Sequence, residues 1–141
     1  MNYLIDTNII SEIISKQPNK QVLDFFNHIS DTNIYLSVIT IGEIRYGIDR
    51  LVASKRKIQL EEWFQDLLQK YQHNIITIDI NSMLIWADIN ATNKSQGITL
   101  SIMDSLIASS ALSHNLTLVT RNTKDFYNIS SLKIINPFEG I

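Results

Sequence analysis

Short apolar runs alternate along this chain with segments whose apolar residues recur at every third or fourth position. Tyr3-Leu4-Ile5 predicts a short buried strand, and Ile9, Ile10, Ile13 and Ile14 then recur at helical spacing until Pro18 interrupts. Val22, Phe25, Phe26 and Ile29 predict a second helix, and Ile34-Tyr35-Leu36 a second strand. Helical periodicity returns from Ile41 to Leu51 and from Ile58 to Tyr71, where Leu60, Trp63, Phe64, Leu67, Leu68 and Tyr71 make one apolar stripe. Ile75-Ile76 predicts a short strand, Met83–Lys94 a helix ending before Gly97, and Met103–Ser113 another helix. Leu116–Val119 predicts a strand, the residues around Lys124, Asp125 and Phe126 a helical turn, and Leu132–Ile135 a last strand.

Strands separated by helices imply βαβ units. The expected fold is a three-layer α/β/α arrangement around a mainly parallel central sheet, as one domain over residues 1–141. Ligands of such sheets bind beyond the carboxyl ends of the strands. Asp6 follows the first strand, Ser37 the second, and Thr120-Arg121-Asn122 follow Val119. Small polar and acidic residues therefore sit where the topology puts a site.

Composition narrows the chemistry. Hydrophobic residues are 45% of the 141, enough for a packed core. The absence of cysteine excludes disulfides, thiolate metal sites and thiol nucleophiles, and leaves the cytoplasm as the default location. No secretory leader and no stretch long enough to span a bilayer are visible. A net charge of −2 is unlike a general nucleic-acid coat protein, so any RNA binding must use local cations or metal ions. No P-loop, dinucleotide or nucleophile-elbow motif occurs. Asp6-Thr7-Asn8 has Asn8 where a haloacid-dehalogenase-like phosphatase needs a second acid. His28, His73 and His114 show no paired ligand spacing and read as ordinary surface or boundary residues.

Four acids remain: Asp6, Glu43, Asp104 and Asp125. Each has an ordinary explanation. Thr40-x-x-Glu43 and Ser101-x-x-Asp104 fit the capping box, Asn122-x-x-Asp125 fits it loosely, and acids near helix N-termini suit the helix dipole. Their common placement, at strand ends or helix starts, makes a shared cleft the alternative. Carboxylates in one cleft repel unless a cation joins them, and a hard divalent cation takes oxygen ligands. Two such ions about 4 Å apart can hold the attacking and leaving oxygens of a phosphodiester.

The segments Leu4-Ile5-Asp6-Thr7-Asn8-Ile9, Ser37 to Gly47, Met103 to Ala108 and Leu118 to Phe126, in this order and spacing, resemble the PIN-domain toxins of VapBC-type toxin–antitoxin pairs. The similarity runs from Tyr3 to Phe138 and looks nearest to the FitB-like branch. It implies a metal-dependent endoribonuclease, using Mg²⁺ or Mn²⁺ and leaving 5′-phosphate and 3′-hydroxyl ends. It also implies a cognate antitoxin, operator DNA reached only through that antitoxin, and a homodimer. Asp6 and Asp104 look like the principal metal ligands, Glu43 a further ligand or holder of metal-bound water, and Asp125 the fourth, most variable acid. Thr7, Asn8 and Asn122 would orient the carboxylates by hydrogen bonds. The family often has proline where this chain has Ser101, which can cap the same turn. Arg45 and Arg121 are candidate RNA contacts, ahead of Arg50 and the run Lys55-Arg56-Lys57, which reads more simply as a solvated loop. The stripe from Leu60 to Tyr71 reads as core, with Trp63, Phe64, Leu67 and Tyr71 the residues that a partner segment would use. Two rival readings stand beside the nuclease: a metal phosphohydrolase of small molecules, and a non-catalytic binding module on the same scaffold.

Overall fold

The structure is a computed structural model that describes residues 1–140. Five parallel strands form one sheet in the order β3-β2-β1-β4-β5: β1 Tyr3–Ile5, β2 Ile34–Ser37, β3 Ile75–Ile76, β4 Thr117–Val119 and β5 Ile134–Ile135. The helices are α1 Thr7–Ile13, α2 Lys20–Asn27, α3 Val38–Asp49, α4 Lys55–Lys70, α5 Ile80–Ser95 and α6 Ile102–Ser113.

Side chains alternate across a strand, so neighbours in β1 serve opposite layers. Ile5 joins a core with Ile9, Phe25, Ile44, Phe64 and Leu67, from α1 to α4. Leu4 joins a second core with Ile107, Ala108 and Ala111 of α6, and with Leu118 and Phe126. Helices thus cover both faces, and the short strands are mostly apolar rather than alternating, with Ser37 ending β2 and Thr117 opening β4 as the polar exceptions. No helix among the described residues is long and apolar enough to cross a membrane.

The strand order builds outward from β1 in both directions. The chain winds from β1 to β2 and β3, then crosses back through α5 and α6 to β4 on the other side of β1. The gap between β1 and β4 is therefore the topological switch point, where a parallel sheet opens a crevice at its carboxyl edge. Ile5 pairs with Val119 there, so the residues that follow, Asp6 and Thr120, leave the sheet side by side.

Several boundaries differ from the periodicity. Helix α3 begins at Val38, directly after β2, with Ser37 as its cap: Ser37 Oγ accepts from the Thr40 N–H at 3.2 Å. Val38 and Ile39 are β-branched and weak helix formers, so the helical periodicity is clear only from Ile41. Helix α4 begins at Lys55, so the run Lys55-Arg56-Lys57 is its first turn rather than a loop. Cations are unfavourable at that end of a helix dipole. Two of them find carbonyl oxygens instead: Arg56 donates to Ile14 O at 2.9 Å, and Lys57 Nζ to Asp49 O and Leu51 O. Helix α5 begins at Ile80, capped by Asp79, whose Oδ1 accepts from both the N–H and the hydroxyl of Ser82.

Candidate metal centre

Asp6 occupies the end of β1 and the N-cap of α1, and its side chain is buried with 5% exposure. Its two oxygens have different duties. Oδ1 accepts from the Thr7 N–H at 2.8 Å, the capping bond that its position suggests. Oδ2 accepts from Thr120 Oγ1 at 2.8 Å and from Asn8 Nδ2 at 3.2 Å. Thr120, fully buried at the end of β4, also accepts from the Asn122 N–H at 3.1 Å. Asn8 Oδ1 in turn accepts from the Arg121 N–H at 3.1 Å. One carboxylate is thus fixed by both strands of the switch point.

Glu43 lies in the second turn of α3, beyond reach of the cap. With Ser37 holding that role, the reading of Thr40-x-x-Glu43 as a capping box is overturned. Glu43 Oε1 instead accepts from Thr7 Oγ1 at 2.6 Å, across from α1. Thr7 Oγ1 also lies 3.3 Å from Thr40 Oγ1. A hydroxyl has one proton; with that of Thr7 given to Glu43, the bond to Thr40 is made with the Thr40 hydroxyl donating. The chain Thr40–Thr7–Glu43 therefore aims the glutamate from a buried anchor, Thr40 at 1% exposure.

Asp104 is in the first turn of α6. Its N–H donates to Ser101 Oγ at 3.2 Å, so the cap at Ser101 is real. The carboxylate of Asp104 has a separate environment. Burial raises its proton affinity above that of an ordinary aspartate, and the charges of Asp125, Asp6 and Glu43 raise it further. Burial likewise raises that of Asp6; hydrogen bonds from Thr120 and Thr7 oppose this, and the charge of Glu43 adds to it. Asp125 is exposed, in a 3-10 turn over Thr123–Phe126. Asp104 of α6 thus feels the charges of acids from three other segments, Asp6, Glu43 and Asp125.

Other expected residues are placed differently. Asn122 contributes its backbone N–H to Thr120, and its side chain makes no capping bond. Arg45 is drawn toward α4: it pairs with Asp49 at 2.9 Å and Glu61 at 4.0 Å, and its guanidinium lies over the Phe64 ring. The Arg121 guanidinium packs over Phe138, 4.3 Å from the ring centroid. His28 and His114 each bond, through Nδ1, to a carbonyl one helical turn earlier, in keeping with structural roles. Two working residues were given no role from sequence, Thr120 and Thr40. Thr120 was visible as the polar residue ending an apolar strand; Thr40 carried no signal beyond a mistaken cap.

The donor set suits a hard divalent cation. All donors are oxygens, and none of the four acids is paired with Lys, Arg or His among the described residues. As they lie, no three His, Asp or Glu side chains among those residues converge closely enough to enclose an ion. Mg²⁺ commonly takes only one or two carboxylates and completes its shell with water, so three converging acids are not required.

Residues 3–132 match the PIN domain family. The chain is 34% identical over 136 residues to Toxin FitB of Neisseria gonorrhoeae, covering 96% of this chain and 97% of that protein. It is 31% identical over 137 residues to VapC ribonuclease Y4jK of Sinorhizobium fredii, again covering 96% and 97%. The crystal structure of FitAcB from Neisseria gonorrhoeae superposes with a TM-score of 0.91 at 34% identity, over 96% of this chain and 98% of that one. This chain belongs to the PIN-domain family.

Proposed function

We propose that this protein is the ribonuclease toxin of a toxin–antitoxin pair, an endonuclease dependent on Mg²⁺ or Mn²⁺ that hydrolyses RNA phosphodiesters at Asp6, Glu43, Asp104 and Asp125. The observation that carries the reading is Asp6: a buried carboxylate at the switch point, held by Thr120 and Asn8, in the field of other acids and with no cationic side chain paired to it. Relatives named as a toxin and as a ribonuclease support it.

A bound divalent ion would supply an activated water and neutralise charge on the phosphate. The chain's own groups provide position. Thr7, Asn8 and Thr120 set the direction of both Asp6 oxygens, and Thr7 sets that of Glu43. Asp104 would face them from α6, and exposed Asp125 would close the rim. Glu43 opens onto a groove rather than a closed pocket, which favours a polymer over a small phosphate ester.

The partner reading divides the α4 stripe. Phe64 and Leu67 are core, while Trp63 and Tyr71 are half-buried and, with Ile10, Ile13 and Phe26, line an apolar groove of about 380 Å³ between α1, α2 and α4. On its edge Asp31 pairs with Lys70 at 3.3 Å, and Asp66 is left to meet the basic and apolar tail of an antitoxin, through which operator DNA would be reached. The protein would act in the cytoplasm, as a homodimer.

The test is cleavage of end-labelled RNA by purified protein in Mg²⁺ or Mn²⁺, beside hydrolysis of a phosphomonoester. The reading expects RNA cleavage that EDTA stops and Asp104→Asn abolishes. Efficient phosphomonoester hydrolysis with intact RNA would favour the small-molecule enzyme, and no cleavage of either, the binding module.

A further inference from the structure

Glu43, Tyr46, Gly47 and Arg50 stand at i, i+3, i+4 and i+7 and make one stripe along α3 to its C-cap. The stripe lines an open groove of about 730 Å³ that begins at Thr7 and Glu43 and is flanked by Met103 of α6. Tyr46 is 69% exposed, and the Arg50 guanidinium lies 6.0 Å from its ring centroid. Arg50 enters no ion pair among the described residues.

The helix also carries two glycines in this groove, Gly42 and Gly47. Only proline is a poorer helix former. A Cβ built at either position would meet no heavy atom within 4 Å, so no neighbour in the chain demands a glycine. Bare helix backbone beside a catalytic acid leaves space for something from outside.

We propose that this groove is the substrate channel for single-stranded RNA, with Tyr46 stacking on an unpaired base and Arg50 contacting a backbone phosphate. The inference rests on the nuclease reading above. An exposed aromatic ring beside a guanidinium is the pairing that holds a base and its phosphate, and stacking requires a base released from a duplex. The acidic end of the groove repels phosphate in the absence of metal; Arg50 supplies the opposite charge at the far end. Continuity with Glu43 favours RNA over a second copy of the chain as occupant.

Fluorescence anisotropy with a labelled single-stranded oligoribonucleotide, in an Asp6→Asn background that blocks cleavage, tests this. Tyr46→Ala is expected to weaken binding about tenfold, and Tyr46→Trp to preserve it. Arg50→Gln is expected to weaken binding and to lower the slope of log affinity against log salt by about 0.7. Gly47→Ala is expected to raise the melting temperature by about 3 °C while weakening binding, a combination that a purely structural role does not give. Undiminished RNA binding by Tyr46→Ala, with the parent chain cleaving RNA, overturns this proposal alone. Loss of a dimer in sedimentation with RNA affinity unchanged also overturns it, since the stripe would then cover a second copy. A wild-type chain that neither binds nor cleaves RNA overturns the nuclease reading with it.

Discussion

Thr120 offers the sharpest probe of the centre, because one buried hydroxyl ties the two strands of the switch point together. Its proton goes to Asp6 Oδ2 at 2.8 Å, and its oxygen accepts from the Asn122 N–H at 3.1 Å. The oxygen also accepts a longer bond from Asn8 Nδ2 at 3.3 Å, and Thr120→Val keeps the shape of the side chain while removing all three. A hydrogen bond to a charged group contributes about 1.5–3 kcal/mol. The Asn122 N–H belongs to an exposed residue and can turn to water, so it adds little. The expected cost is about 2 kcal/mol, or roughly 6 °C in melting temperature for a chain of this size. Thr120→Ser keeps the hydroxyl and should lose less than half of that. Urea denaturation of the two variants, each with Asp6 and with Asp6→Asn, forms a double-mutant cycle. A coupling of at least about 1 kcal/mol is expected between Thr120→Val and the Asp6 charge. If Thr120→Val costs the same with Asp6 or Asn at that position, the hydroxyl is only packing and does not hold the carboxylate.

Metal-free protein should gain stability as pH falls from neutrality toward 4. Asp6 and Asp104 bind protons more tightly folded than at the ordinary value of 3.8, so the stability linked to their protonation is full below 3.8 and fades as pH rises through their raised values. Asp79, lowered by the bonds from Ser82, acts in the opposite sense and below 3.8, outside this window. Thermal melts in EDTA across pH, against Asp6→Asn with Asp104→Asn, should show the gap closing toward low pH; parallel curves would refute it. Ser37→Ala should lower stability by about 1 kcal/mol as a lost helix cap, and Glu43→Gln, which keeps an acceptor for Thr7, should cost less; the reverse order in urea midpoints would restore Glu43 as the cap.

Most of the fold was legible because the strands here are short, apolar and separated by helical periodicity. The helix starts were less so. The pattern Thr40-x-x-Glu43 reads as a capping box in sequence, whereas the helix starts directly after β2 with Ser37 as its cap. The acids stood out as candidates because strand ends and helix starts are where a parallel sheet gathers its ligands. Their supporting bonds were not, because sequence gives no measure of the distance from Thr7 to Glu43, 36 residues away, or from Thr120 to Asp6, 114 residues away. The cationic residues show the same limit. Arg45 is near Glu43 in the chain, yet its charge is taken by Asp49 and Glu61 on the side facing α4.

Calorimetric titration of Mn²⁺ into the purified chain addresses the proposed metal centre directly. Saturable binding is expected in the wild type, lost in Asp6→Asn and in Asp104→Asn, with both variants at least as stable as the wild type in EDTA. Unchanged Mn²⁺ affinity in both variants, or no binding by the wild type, would contradict the claim that these distant acids form one metal centre.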